Sequence, residues 1–140
     1  MIEYKIDNLH LINGDFLKSL DFIEDCSVDM ILTDPPFGTT NSKWDTIIPF
    51  DKMWELINRV SKKSAAIALF GAEPFSSALR MSNIKNYKYD WTWEKSQTTG
   101  FLNAWKMPLR ATENISMFYR EPPTYNPILR DKEEENIRPV

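Results

Sequence analysis

Four consecutive residues carry the clearest chemical signal in this chain: Asp34, Pro35, Pro36 and Phe37. The two prolines fix their own φ angles and donate no backbone N–H, so the Pro35 carbonyl points outward from a stiff, extended turn. The Asp34 carboxylate and that carbonyl are then two acceptors side by side, with the Phe37 ring next to them. An exocyclic amine on an aromatic base suits this arrangement: each N–H finds an oxygen, and the ring that carries the amine stacks on Phe37. A bare Asp-Pro-Pro is also an ordinary turn, in which Asp34 would only cap backbone groups. The residues before it favour the chemical alternative. Val28, Met30, Ile31 and Leu32 form an apolar run of strand length that ends at Asp34. A buried parallel strand reads this way, and ligands of open α/β sheets bind just beyond such carboxyl ends.

Other residues could complete a site around this one. Gly14-Asp15 follows the strand candidate Leu9–Asn13, and an acidic residue there can accept hydrogen bonds from a nucleotide-like ligand or cap the next helix. Asn41–Pro49 is a polar loop at the expected rim, containing Lys43, Trp44 and Asp45. Trp44 there either stacks on a substrate or closes the loop onto the domain. The formal net charge of −3 argues against a generic cationic nucleic-acid coat. Its distribution says more: residues 80–110 carry six basic and two acidic side chains, whereas residues 1–79 carry seven and twelve. Lys85, Lys88, Lys95, Lys106 and Arg110 sit in that block among Tyr87, Trp91, Trp93, Phe101 and Trp105. Interleaved cations and aromatics suit backbone phosphates and bases, although a solvated face over a satellite of the core has the same composition.

The elements that must position these residues follow from periodicity. Phe16, Leu17, Leu20 and Ile23 make a helical stripe over residues 16–24, and Met53, Trp54, Ile57 and Val60 make another over residues 51–63. Lys62 and Lys63 would close that second helix at its negative pole. Ala65–Phe70 is a second buried strand, closed by Gly71, and Glu73-Pro74 opens a short helix through Met81. Alternation of strand and helix predicts a mostly parallel sheet covered by helices. From Tyr87 to Glu94 the repeat becomes two residues, which predicts a strand pairing antiparallel with Ile115–Tyr119 at one sheet edge. The connection Lys95–Glu113 reads as a long loop, and loops of that length are usually functional or flexible.

Taken together, Asp34-Pro35-Pro36-Phe37 in its setting T-D-P-P-F-G-T-T, followed by Lys43-Trp44-Asp45, resembles the catalytic tetrapeptide of S-adenosylmethionine-dependent DNA amino-methyltransferases, which modify adenine N6 or cytosine N4. The longer context resembles phage-type and restriction-modification adenine methyltransferases of the circularly permuted class, in which the catalytic half comes first. The resemblance runs from Leu9 to about Pro127. It implies a Rossmann-like α/β fold and methyl transfer from S-adenosylmethionine to adenine N6 in double-stranded DNA. It implies catalytic roles for Asp34, Pro35, Pro36 and Phe37, and cofactor contacts for Gly14, Asp15 and Asp34. Lys95, Lys106, Arg110, Lys43 and Trp44 are its implied DNA contacts. One departure stands out: the four glycines are Gly14, Gly38, Gly71 and Gly100, and none lies in the G-x-G arrangement of the family's cofactor turn. The expectation is therefore an N-terminal catalytic half over residues 1–120, with a Pro-rich then acidic tail over 121–140. Its sheet would be incomplete, requiring a complementing subunit, a missing region or self-association. A catalytically silent DNA-binding or subunit-pairing remnant and a cytosine-N4 enzyme are the alternatives.

At 140 residues the chain is sized for one domain. Cys26 and His10 are its only cysteine and histidine, which gives neither an internal disulfide nor a metal cluster. With no apolar segment of membrane-spanning length and no signal-peptide core at its start, the chain reads as cytoplasmic.

Overall fold

The computed structural model describes residues 2–129. The acidic stretch Glu133–Glu135 of the expected tail lies outside the described residues. The chain runs β1 (Ile2–Ile6), β2 (Leu9–Asn13), α1 (Phe16–Ser19), β3 (Val28–Thr33), α2 (Phe50–Val60), β4 (Ser61–Gly71), α3 (Phe75–Ser82), β5 (Tyr87–Thr99) and β6 (Arg110–Phe118). Single 3-10 turns follow α1, at Leu20–Phe22, and β5, at Phe101–Asn103.

The main sheet has the order β3-β4-β6-β5. β3 lies parallel to β4, while β6 runs antiparallel to both β4 and β5. The expected α/β architecture with an antiparallel hairpin at one edge is present, and parallel pairing among the described strands is confined to β3 and β4. One face of the sheet is covered. The apolar stripe of α2 buries Met53, Trp54, Ile57 and Val60, as the spacing predicts, and packs with Phe75 and Leu79 of α3 on Ile67, Leu69 and Phe118. Removing any one of these fully buried aliphatic side chains to Ala would cost about 2–5 kcal/mol, from lost transfer energy and the cavity left behind. A polar network fixes α3 to the sheet. Arg80 pairs with Glu73 and reaches Asp90 of β5 at 3.7 Å, while Asp90 accepts from Tyr87 and Asn114. The opposite face is only partly covered: Pro122–Tyr125 run along it, while Met30, Leu32 and Trp91 are each about half exposed.

Several boundaries differ from those read in the sequence, each for a local reason. β2 forms where expected, but it pairs antiparallel with β1 in a separate hairpin instead of entering the main sheet. A two-residue turn satisfies its backbone groups locally, and among the described residues nothing covers it, so Leu9 and Leu11 stay exposed. The first helix is a single turn plus the 3-10 turn, not residues 16–24: Arg59 draws the carbonyls of Leu20 and Ile23 onto its guanidinium, and Ile23 is extended. The second helix stops at Val60. Arg120 takes the carbonyls of Asn58, Ser61 and Lys62, and Lys62 and Lys63 are among the first residues of β4, which begins at Ser61, instead of capping a helix. Finally, residues 95–99 continue β5, which shortens the expected loop to Gly100–Leu109.

Candidate active site

β3 ends at Thr33, and Asp34-Pro35-Pro36-Phe37 leaves the carboxyl end of the sheet from there. Pro35 is buried, which anchors the turn, while Asp34 stays exposed beside it. Partial burial nevertheless holds the Asp34 carboxyl above the ordinary carboxylate range, and the Glu113 carboxylate on β6 adds to the effect. The result is an oxygen more willing to take a proton than a free aspartate. Phe37 is half-buried and stacks on Phe75 of α3, with centroids 5.1 Å apart and planes 28° from parallel. Phe75 is buried and also meets Phe50 at 5.8 Å, so the Phe37 ring rests on a packed support.

The chain then turns back through residues 38–45. Gly38 has φ +68°, and a Cβ there would stand 2.9 Å from Cγ1 of Ile47, so both conformation and space call for glycine. Asp45 closes the loop. Its Oδ1 accepts the Gly38 N–H at 2.8 Å, and its Oδ2 accepts those of Thr39 at 2.9 Å and Thr40 at 2.7 Å. The Gly38 hydrogen bond first, with help from the Thr40 hydroxyl and the other two amides, holds the Asp45 carboxyl below its usual range despite desolvation.

These segments enclose a cavity of about 260 Å³, lined by Asp34–Phe37, Thr39, Thr40, Trp44 and Asp45. A single planar base with an exocyclic amine is of a size and chemistry to enter it. Thr39 and Thr40 also wall a second cavity of about 320 Å³, whose other side is Thr99, Gly100, Asn103, Met107, Pro108 and Arg110. Asp34, Pro35, Pro36, Phe37 and Trp44 are thus brought together in the first cavity, and Arg110 into the adjoining one.

The remaining candidates lie elsewhere. Gly14, Asp15, Lys43, Lys95 and Lys106 line neither cavity. Asp15 is the N-cap of α1, accepting the Leu17 N–H at 2.8 Å, which is the capping role left open by its position. Lys95 is not an exposed cation: it pairs with Glu113 at 2.8 Å and meets the Thr99 hydroxyl at 3.1 Å, with 13% of its side chain exposed. Lys43 and Lys106 are exposed, and Trp105, next to Lys106, is fully so. Sequence reasoning passed over Thr39, Thr40, Phe75 and Glu113, and treated Asp45 only as part of the rim. The usable signal for Asp45 was an aspartate closing a short polar loop that opens with Gly-Thr-Thr, since a carboxylate can gather several turn amides.

No protein-family model and no curated protein sequence matches the chain. Solved structures do. The PvuII DNA methyltransferase, cytosine-N4-specific, matches with a TM-score of 0.61 at 15% identity, over 79% of this chain and 49% of that one. M1.HpyAVI, solved in complex with SAM, matches with a TM-score of 0.52 at 16% identity, over 84% and 57%. A candidate DNA modification methylase of Thermus thermophilus matches with a TM-score of 0.54 at 18% identity, over 87% and 55%. The chain therefore spans about half the length of the structures it matches. The expectation of an adenine-N6 enzyme is corrected by this comparison, because the one of these three proteins whose target base is stated acts on cytosine N4. The tetrapeptide could not decide the point: it answers an amine and an aromatic ring, which both bases present. Among the described residues, no helix is long and apolar enough to cross a membrane. At these identities the likeness establishes the fold, a mixed methyltransferase-like sheet that is partial relative to the matched structures.

Proposed function

We propose that this chain is the target-base half of a DNA methyltransferase that methylates the exocyclic N4 amine of cytosine, with S-adenosylmethionine as donor. The observation that carries the reading is the cavity at the end of β3, which Asp34, Pro35 and Phe37 line together. A cytosine stacked in duplex DNA cannot reach a strand end, so it is flipped out and stacks on Phe37. Asp34 and the Pro35 carbonyl each accept one N–H of the amine. Those bonds favour a more tetrahedral nitrogen and stabilise the positive charge that develops as it is alkylated. Asp34, with its carboxyl held above the ordinary range, or solvent then takes the surplus proton.

The backbone of the DNA runs past Arg110, with Lys106, Lys43 and Trp44 as flanking contacts. Lys95 acts through Glu113 and not on phosphate, because its charge is already met. Among the described residues, Gly14 and Asp15, expected to hold the donor, do not line the cavity that Asp34 lines. The Asp15 carboxylate caps α1, β2 belongs to a hairpin apart from the sheet of β3, and no G-x-G turn occurs in the sequence. The unpaired edge of β3, with Met30 and Leu32 more than half exposed, is where a complementing region or subunit would complete the fold.

The test is transfer of a tritiated methyl group to DNA, run with this chain alone and with a complementing cofactor-binding half, followed by nucleoside mass analysis. N4-methylcytosine, lost in Asp34→Ala, is expected. No transfer in either format, or a different methylated base, would refute the reading.

A further inference from the structure

Asp45 is the one buried carboxylate among the described residues, 8% exposed, and its hydrogen bonds run to backbone N–H groups of residues 38–40, with no cation paired to it. Burying a charge is costly unless its lone pairs are answered, and here three consecutive amides answer them. A loop of this length could close on main-chain bonds alone, so a buried anion at its centre asks for a further reason. Thr39 and Thr40, the residues it grips, are the ones that wall both cavities. From the other side, Gly38 presses on Ile47 with no room for a Cβ. Residues 38–40 are therefore braced on two sides.

We propose that Asp45 is the positioning residue of this site: its carboxylate holds the Gly38–Thr40 backbone as the partition between a base in the first cavity and nucleic-acid backbone in the second. This rests on the reading of the first cavity as the target-base site. The carboxylate itself touches no reacting atom. It sets the gap into which a ring slides against Phe37, and it keeps Trp44, its sequence neighbour, at the cavity mouth.

Asp45→Asn isolates the effect, since the carboxamide keeps the shape but has one acceptor oxygen where the carboxylate has two. At least one of the three N–H groups then loses its partner. The assay is fluorescence anisotropy of the full chain with a short labelled oligothymidylate that contains one cytosine, against the same strand with an abasic position there. The parent chain should prefer cytosine by roughly fivefold or more, the worth of one stacked base. Asp45→Asn should lower that preference to about twofold or less, with the abasic strand, held by phosphate contacts alone, losing less affinity than the cytosine strand. Faster amide hydrogen exchange at Thr39 and Thr40 should accompany the loss. Gly38→Ala, which disturbs the same partition with Asp45 intact, should reproduce it. A parent chain with no cytosine preference sinks the functional reading and this inference with it. A discriminating parent with an equally discriminating Asp45→Asn overturns the inference alone. An Asp45→Asn chain that loses its circular-dichroism signal also overturns it, since Asp45 would then serve folding and not position.

Discussion

Replacing Phe37 by Ala separates what its ring does for the fold from what it does for a ligand. A fully buried Phe→Ala change costs about 3–5 kcal/mol. Phe37 is only half-buried, so the stability loss should be about 2 kcal/mol, of which the stack on Phe75 supplies roughly 1 kcal/mol beyond area burial. Phe75 is 3% exposed and touches both Phe37 and Phe50, so Phe75→Ala should cost about 4 kcal/mol. Urea denaturation of the two single variants and the double variant gives the coupling directly, expected at about 1 kcal/mol. In the anisotropy assay, Phe37→Ala should lose about 1–3 kcal/mol of cytosine binding, roughly 5-fold to 150-fold. A coupling energy indistinguishable from zero would refute the stacked support. A Phe37→Ala chain that is destabilised as predicted yet still discriminates cytosine from an abasic site would refute the ring's role in binding.

Three further outcomes follow from the charges. The folded Asp34 carboxyl titrates above its unfolded value, so its favourable contribution is full below the unfolded range and lost as pH rises through the folded one. Asp34→Asn should therefore raise the denaturation midpoint at neutral pH and leave it unchanged in strong acid, even as methyl transfer is abolished; a midpoint that falls at neutral pH would contradict this. Arg110→Ala should flatten the salt dependence of DNA binding by about one unit of slope without changing stability, which a filter-binding salt series reads out. Lys95→Ala should do the reverse. It leaves Glu113 without its partner near Asp34, at a cost of about 1–3 kcal/mol in denaturant titrations, with the salt slope unchanged.

Much of the site was legible because its meaning is local. Two prolines stiffen the turn wherever they stand, and an apolar run ending in a carboxylate reads as a strand with its acceptor at the rim. The expected burial of that strand was not borne out, because β3 stands at the sheet edge with Met30 and Leu32 more than half exposed. The stripe Met53, Trp54, Ile57, Val60 was visible for the same reason: one helical period sorts the buried side from the exposed one. Partnership across long separations was not legible. Lys95 reads as a surface cation until β5 and β6 align it with Glu113, eighteen residues on. Leu9–Asn13 reads as a sheet strand, but whether a strand enters a sheet depends on a neighbour to cover it, and the described chain offers only β1. The ends of α1 and α2 were decided by Arg59 and Arg120, whose guanidinium groups collect carbonyls from segments roughly forty to sixty residues away. Asp45 shows the division most plainly. Its residue type allowed a turn, but only the folded loop aligned three amide hydrogens on its two oxygens, because hydrogen-bond direction exists in space and not along a sequence.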